Sequence, residues 1–186
     1  MSSTPLQEAT GPADASITSL RGETPADYTR RILGYAEGKD PRAVLESTAK
    51  RLRTIVQETP KDVLRRRPAP GKWSPSEIIA HLADAEVVVS WRIRAILGHN
   101  GVAIQAFDQD EWAANLAYEK ADPAESVALF EALRTANLRL LDRVDARLYD
   151  NYGMHSERGK ETIAHIIRLY AGHDLNHLRQ IESIVR

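Results

Sequence analysis

The chain contains no cysteine, which excludes disulfides, iron–sulfur clusters, thiolate zinc sites and a cysteine nucleophile together. Any metal must therefore sit on histidine, carboxylate or water. Long apolar runs are also missing. A helix that spans a bilayer needs about 18 or more consecutive apolar residues, and the apolar segment from Ile78 to Leu97 carries Asp84, Glu86, Arg92 and Arg94. No membrane association is expected. An excess of one charge is lacking as well, since 26 acidic against 25 basic residues leave a net charge of -1. No overall field then draws the protein to nucleic acid or to an anionic lipid surface. Nor do the first twenty residues have the basic start and apolar centre of a secretory signal. They are rich in Ser, Thr, Pro, Ala and Gly, and residues 1–22 are expected to form a flexible tail on a cytoplasmic protein. What is there is 186 residues, 42% hydrophobic and 27% charged, the make-up of one globular domain, assigned to residues 23–186.

Punctuation divides that domain into helices with little sign of strand. Thr24-Pro25 is an N-cap followed by proline at the first helical position, and it opens a short leading helix that ends before Gly38. Asp40-Pro41 repeats the signal for a helix over about residues 41 to 58, with Val44, Leu45, Ala49, Leu52, Ile55 and Val56 on one face. The stretch from Pro60 to Trp73 reads as a loop. Ser74-Pro75-Ser76-Glu77 combines a capping serine, a first-turn proline and a glutamate at the third position, so a second long helix should run to about Leu97. A loop with a short helical piece, holding Phe107 to Trp112, follows. Asp122-Pro123 opens a third long helix expected to end near Leu148. After a polar stretch around Asn151 to Gly159, a fourth begins at Glu161 and reaches nearly to the C-terminus. Four long helices with apolar stripes can bury one another, so the fold class is all-α, a four-helix bundle plus the short leading helix.

Against these stripes the six histidines separate into kinds. His173 and His177 stand four apart and project from one face of the fourth helix, the face that also carries Ile166, Tyr170, Ile181 and Ile184. His81 lies in the inner stripe of the second helix. If those helices run antiparallel the three stand at matching heights, since His81 is roughly 9 Å past Pro75 and His177 roughly 10 Å before Ile184. Three neutral imidazoles converging on one point would hold a divalent ion and leave a coordination position open for water or substrate. The alternative is a bundle without metal: a pair of histidines four apart also arises by chance, although an unpaired buried imidazole would cost on the order of 1 to 3 kcal/mol.

The zinc-protease motif needs glutamate directly after the first histidine, and Asp174 stands there, which disfavours a metalloprotease. Asp84, one turn after His81, could hydrogen-bond an imidazole N–H or a metal-bound water, or end on the solvated edge of its helix. His165 is about 12 Å along the axis from His173, too far to share an ion. His99 and His155 fall in loops, where exposure is expected. Arg65-Arg66-Arg67 reads as a solvated edge, and Trp73, Trp91 and Trp112 read as core anchors.

The segment Gly71-Lys72-Trp73-Ser74-Pro75-Ser76-Glu77-Ile78-Ile79-Ala80-His81-Leu82-Ala83-Asp84-Ala85-Glu86, together with His173-Asp174-Leu175-Asn176-His177, resembles the DinB/YfiT-like family over roughly residues 40 to 186. Phe107-Asp108-Gln109-Asp110-Glu111-Trp112 is similar to the acidic and aromatic stretch that follows the second helix in some members. The resemblance implies an up-down-down-up bundle with a long crossover between the second and third helices. It implies that His81, His173 and His177 match the family's metal triad, with zinc or nickel as the ion. It further implies a small-molecule substrate, with a low-molecular-weight thiol as one candidate, because characterised relatives include thiol-using transferases and a thiol-dependent isomerase of maleylpyruvate.

Two function classes follow. In the first, the open position of a His-ligated divalent ion activates a thiol or water against a small molecule, as a transferase or hydrolase. In the second, the bundle is a non-catalytic, dimeric metal-binding module of the stress response. A homodimer is expected; nucleic-acid and membrane partners are not.

Overall fold

The computed structural model describes residues 23–186, so the tail expected over 1–22 lies outside the described residues. Helices α1 (Pro25–Tyr35) and α2 (Pro41–Glu58) begin where their punctuation places them. The Thr24 and Asp40 side chains accept backbone N–H bonds from Asp27 and Arg42, and proline occupies a first-turn position whose N–H has no intrahelical acceptor. Between α2 and Trp73 the expected loop is corrected by one short helix, α3 (Lys61–Arg65), which buried Leu64 anchors. The residues that bar a helix, Pro68, Pro70 and Gly71, all lie beyond it.

Helix α4 (Pro75–Gly98) starts on a complete capping box. The Ser74 hydroxyl accepts from the Glu77 N–H, and the Glu77 carboxylate accepts from the Ser74 N–H at 2.7 Å. Arg67 Nε donates to that carboxylate at 3.0 Å. Helix α5 (Gln109–Asn115) is the short piece expected near Phe107, and Asp108 caps it. Helix α6 (Pro123–Arg143) stops before the expected end near Leu148, because Asp145 turns its carboxylate onto the Arg147 N–H and starts a separate 3-10 turn, Ala146–Asp150. Helix α7 (Ile163–Val185) begins behind the Thr162 cap rather than at Glu161.

The main departure is a three-stranded sheet of β1 (Val102–Ile104), β2 (Tyr152–His155) and β3 (Gly159–Thr162), in that order. β1 pairs parallel with β2, Val102 opposite Gly153, and β2 pairs antiparallel with β3, Tyr152 opposite Thr162. The polar stretch around Asn151 to Gly159 is therefore largely a hairpin, not a loop. Strands of three or four residues are too short to show alternation, and β1, one of the two partners of β2, is remote from it in sequence.

The core has two apolar clusters. One joins Leu45 of α2, Val89 and Ile93 of α4, Leu141 of α6 and Ile166 of α7; the other joins Leu52, Ile78, Phe130 and Ile181 of the same four helices. Helices α2 and α7 enter the first cluster and leave through the second, whereas α4 and α6 do the reverse. Buried polar residues stand near the junction of the two on each helix: Thr48 on α2, Glu86 on α4, Arg134 and Asn137 on α6, and His173 to His177, Leu175 excepted, on α7. This is a four-helix bundle with a polar belt through its middle, and α1 packs along α7. Of the tryptophans, Trp73 is buried and Trp112 is half-buried against Phe107. Trp91 corrects the expectation of a core anchor, because it projects from α4 with 56% of its surface exposed. Among the described residues no helix is long and apolar enough to cross a membrane.

Candidate metal centre

The capping box fixes where α4 begins, and hence the height of His81 in its second turn. The i, i+4 spacing places His173 and His177 one above the other on α7. Their three Nε2 atoms meet in the belt. His173 Nε2 is 3.1 Å from His81 Nε2 and 3.1 Å from His177 Nε2, and all three residues are buried. The structure thus brings together His81, His173 and His177, with ligand atoms all within 4.8 Å of one another.

Burial holds His81 and His173 well below the ordinary imidazole value, and repulsion from His177 adds to it; burial also takes His177 down to about 4. All three are neutral near pH 7. His177 Nδ1 lies 2.8 Å from Gln180 Oε1. An amide oxygen only accepts, so the His177 proton sits on Nδ1 and its Nε2 presents a lone pair to the centre. Among the described residues, His81 Nδ1 and His173 Nδ1 have no hydrogen-bond partner. Three neutral imidazoles crowding their Nε2 atoms cannot satisfy one another, since one N–H cannot serve two lone pairs facing it. A single cation between them satisfies all three, and their separation suits nitrogen ligands at about 2.0 to 2.1 Å from it.

The rings are held by their neighbours. Trp73 lies against His81 at 5.1 Å between centroids, and Tyr170 against His173 at 5.8 Å. Asp174, beside His173, points into the belt and takes two bonds from Arg134, at 2.7 and 3.2 Å. Arg134 also donates to Glu86 at 2.8 Å and to the Leu45 carbonyl at 3.0 Å. Asn137 closes the network on the other Glu86 oxygen at 2.8 Å.

Asp84 does not hydrogen-bond an imidazole. Its carboxylate accepts the Tyr118 hydroxyl at 2.7 Å, and His81 Nδ1 stays unpartnered. Of the remaining histidines, His165 is half-buried, 3.9 Å from Glu161 and outside the triad, and His99 is exposed at the end of α4. His155 corrects the expectation of a solvated loop: it is buried on β2, 3.3 Å from Arg92 Nη2. Burial, then the charge of Arg158, lowers it to about 4.

His81 and His173 reach the surface through an open cleft of about 430 Å³. Tyr28 of α1, Phe107 before α5 and Tyr170 of α7 supply its rings, and Arg92, His155 and Arg158 stand in its wall. Of the residues missed by sequence reasoning, only Gln180 carried a usable signal, three positions after His177 on the same helix face. Arg92 stands on α4 and meets His155 only because the sheet packs there, while Arg158 comes from the turn between β2 and β3 and Tyr28 from α1, partners that no local pattern announces.

The comparisons with known proteins fit this arrangement. A family model described as the DinB superfamily matches residues 44–181. A protein of Oceanobacillus iheyensis named as a candidate metal-dependent hydrolase is 30% identical over 117 residues, 62% of this chain and 67% of that protein. YfiT of Bacillus subtilis, named in the same way, is 26% identical over 145 residues, 77% of this chain and 81% of YfiT. A solved structure of YfiT, described as a probable metal-dependent hydrolase with an unusual four-helix bundle topology, superimposes with a TM-score of 0.72 at 21% identity, over 89% of this chain and 90% of that one.

Proposed function

Taking as premise that the chain belongs to the DinB superfamily, we propose that it is a metal-dependent hydrolase of small molecules, in which His81, His173 and His177 hold one divalent ion. The observation that carries this reading is the meeting of three neutral, buried Nε2 atoms below a cleft open to solvent. The names of the relatives support it. An all-imidazole donor set suits zinc or nickel over magnesium or calcium, which prefer oxygen. Bound there, the ion would supply Lewis acidity, lowering the pKa of a water or thiol in its open position.

The protein's own residues do the remainder. Gln180 fixes the His177 tautomer, Trp73 and Tyr170 flank the His81 and His173 rings, and burial keeps all three imidazoles unprotonated near neutral pH. The cleft sets substrate size. The relatives' names favour water over a thiol as nucleophile, and product analysis with and without added low-molecular-weight thiols separates the two.

The test is elemental analysis of protein purified without a nickel column. About one zinc or nickel ion per chain is expected, with His173→Ala and His177→Ala losing most of it while circular dichroism stays helical. Wild-type protein that takes up no divalent ion, or full retention by both variants, overturns the reading.

A further inference from the structure

We propose that the cleft above the triad receives small molecules bearing a carboxylate, and that Arg92 binds this group at the end of the cleft remote from the histidines. The proposal rests on the hydrolase reading in taking this cleft as the substrate site.

Arg92 is a buried guanidinium, 3% exposed, in the wall of the cleft that His81 and His173 floor. It is always charged, yet among the described residues no carboxylate lies within 4.0 Å of it. One nitrogen donates to the Gln105 carbonyl and lies 3.3 Å from His155 Nε2, and neither group carries a compensating negative charge. A buried cation held only by neutral dipoles is costly unless an anion completes it. Its neighbour Arg158, by contrast, is matched: Glu161 accepts from it at 2.6 and 3.2 Å.

The acidic residues of the wall do not supply the missing charge. Glu23 is paired with Arg31 at 2.8 Å, Asp108 accepts the backbone N–H groups of Asp110 and Glu111, and Glu157 stands exposed at the rim. Glu161 feels the charge of Arg92 only at longer range and spends its direct bonds on Arg158, so among the described residues no carboxylate meets the Arg92 guanidinium directly. A carboxylate meets a guanidinium through paired, charge-assisted bonds, and the rings of Tyr28, Phe107 and Tyr170 offer a flat apolar body a place between the two ends.

Position along α4 sets the geometry. Arg92 follows His81 by eleven residues, about 16 Å at the backbone, and its side chain leans back toward the helix start. The bound carboxylate therefore anchors the substrate while a separate group faces the triad.

The experiment is calorimetric titration of the full-length protein, metal-loaded and chelator-treated, with benzoate and with benzamide as its uncharged match. Benzoate is expected to bind both forms, roughly 10-fold or more tightly than benzamide. Arg92→Gln should abolish the preference, and Arg92→Lys, which keeps the charge, should retain part of it. Equal binding of the two probes by wild-type protein, or an undiminished preference in a folded Arg92→Gln, overturns the assignment. If Arg92→Gln fails to fold, the wild-type preference and its partial survival in Arg92→Lys decide. A protein that takes up no divalent ion but still prefers benzoate sinks the hydrolase reading alone; a metal-loaded protein without the preference sinks the Arg92 assignment alone.

Discussion

At the scale of residues, the triad shows how neighbours give one side-chain type different duties. His177 has its proton fixed on Nδ1 by Gln180, whereas His81 and His173 are held by burial and ring contacts, with no Nδ1 partner among the described residues. Gln180 is then the hydrogen-bonding residue through which metal affinity is tuned. Gln180→Leu should keep one ion per chain and lower its affinity about 10 to 100-fold, the range for losing an orienting partner; competition with a chelator measures it. Asp84→Asn should have a smaller effect, because that carboxylate is engaged with Tyr118 rather than with an imidazole. A larger loss in Asp84→Asn than in Gln180→Leu would reverse these roles.

At the scale of elements, two contacts hold the site in place. The first is the seam between α1 and α7, where a Cβ on Gly172 would come within 2.0 Å of the Ile32 carbonyl oxygen. Alanine would favour the helix by up to about 1 kcal/mol on propensity, but a backbone atom at that distance must move, so the clash wins. Gly172→Ala should loosen α1, and with it the Thr24 to Tyr28 rim of the cleft, leaving α2, α4, α6 and α7 assembled. Hydrogen exchange should then rise across α1 ahead of the other helices. The second contact is Arg134, buried between Glu86 and Asp174 and set 4.5 Å over the Phe130 ring. Arg134→Leu leaves two carboxylates buried without their cation and should cost about 3 to 5 kcal/mol, read as a lower urea midpoint.

At the scale of the whole molecule, imidazoles buried in the polar belt and on the sheet make stability depend on pH. Imidazoles free in the unfolded chain take up protons below about 6.5, while His177 and His155 in the fold do so only near 4. The unfolded state binds more protons throughout that window. Metal-free protein should therefore be fully stable, as far as these groups are concerned, above pH 6.5 and lose stability steadily as the pH falls toward 4. Chemical denaturation at pH 7.5, 6, 5 and 4 tests this, and His155→Gln and His177→Gln should each flatten the slope. An unchanged unfolding free energy between pH 7.5 and 5 would show that these imidazoles are not held neutral by burial.

Much of this protein is written locally. Caps and prolines at Thr24-Pro25, Asp40-Pro41, Ser74-Pro75 and Asp122-Pro123 set the helix starts to the residue, because N-caps act within one turn. Apolar periodicity gives the bundle, and the spacing of His173 and His177, with His81 in an inward stripe, selects the three side chains that meet. Helix ends and strands are less visible: α6 stops where a side chain five residues short of Asp150 captures the chain, and β1 finds β2 across half the bundle. Tertiary structure alone decided what surrounds the triad. The sheet buries His155 and brings it to Arg92, α1 roofs the cleft, and α6 supplies the guanidinium that holds Asp174 inward. Each is a contact between residues far apart in the chain, fixed by the packing of whole elements, and no local pattern records which distant side chains that packing will bring face to face.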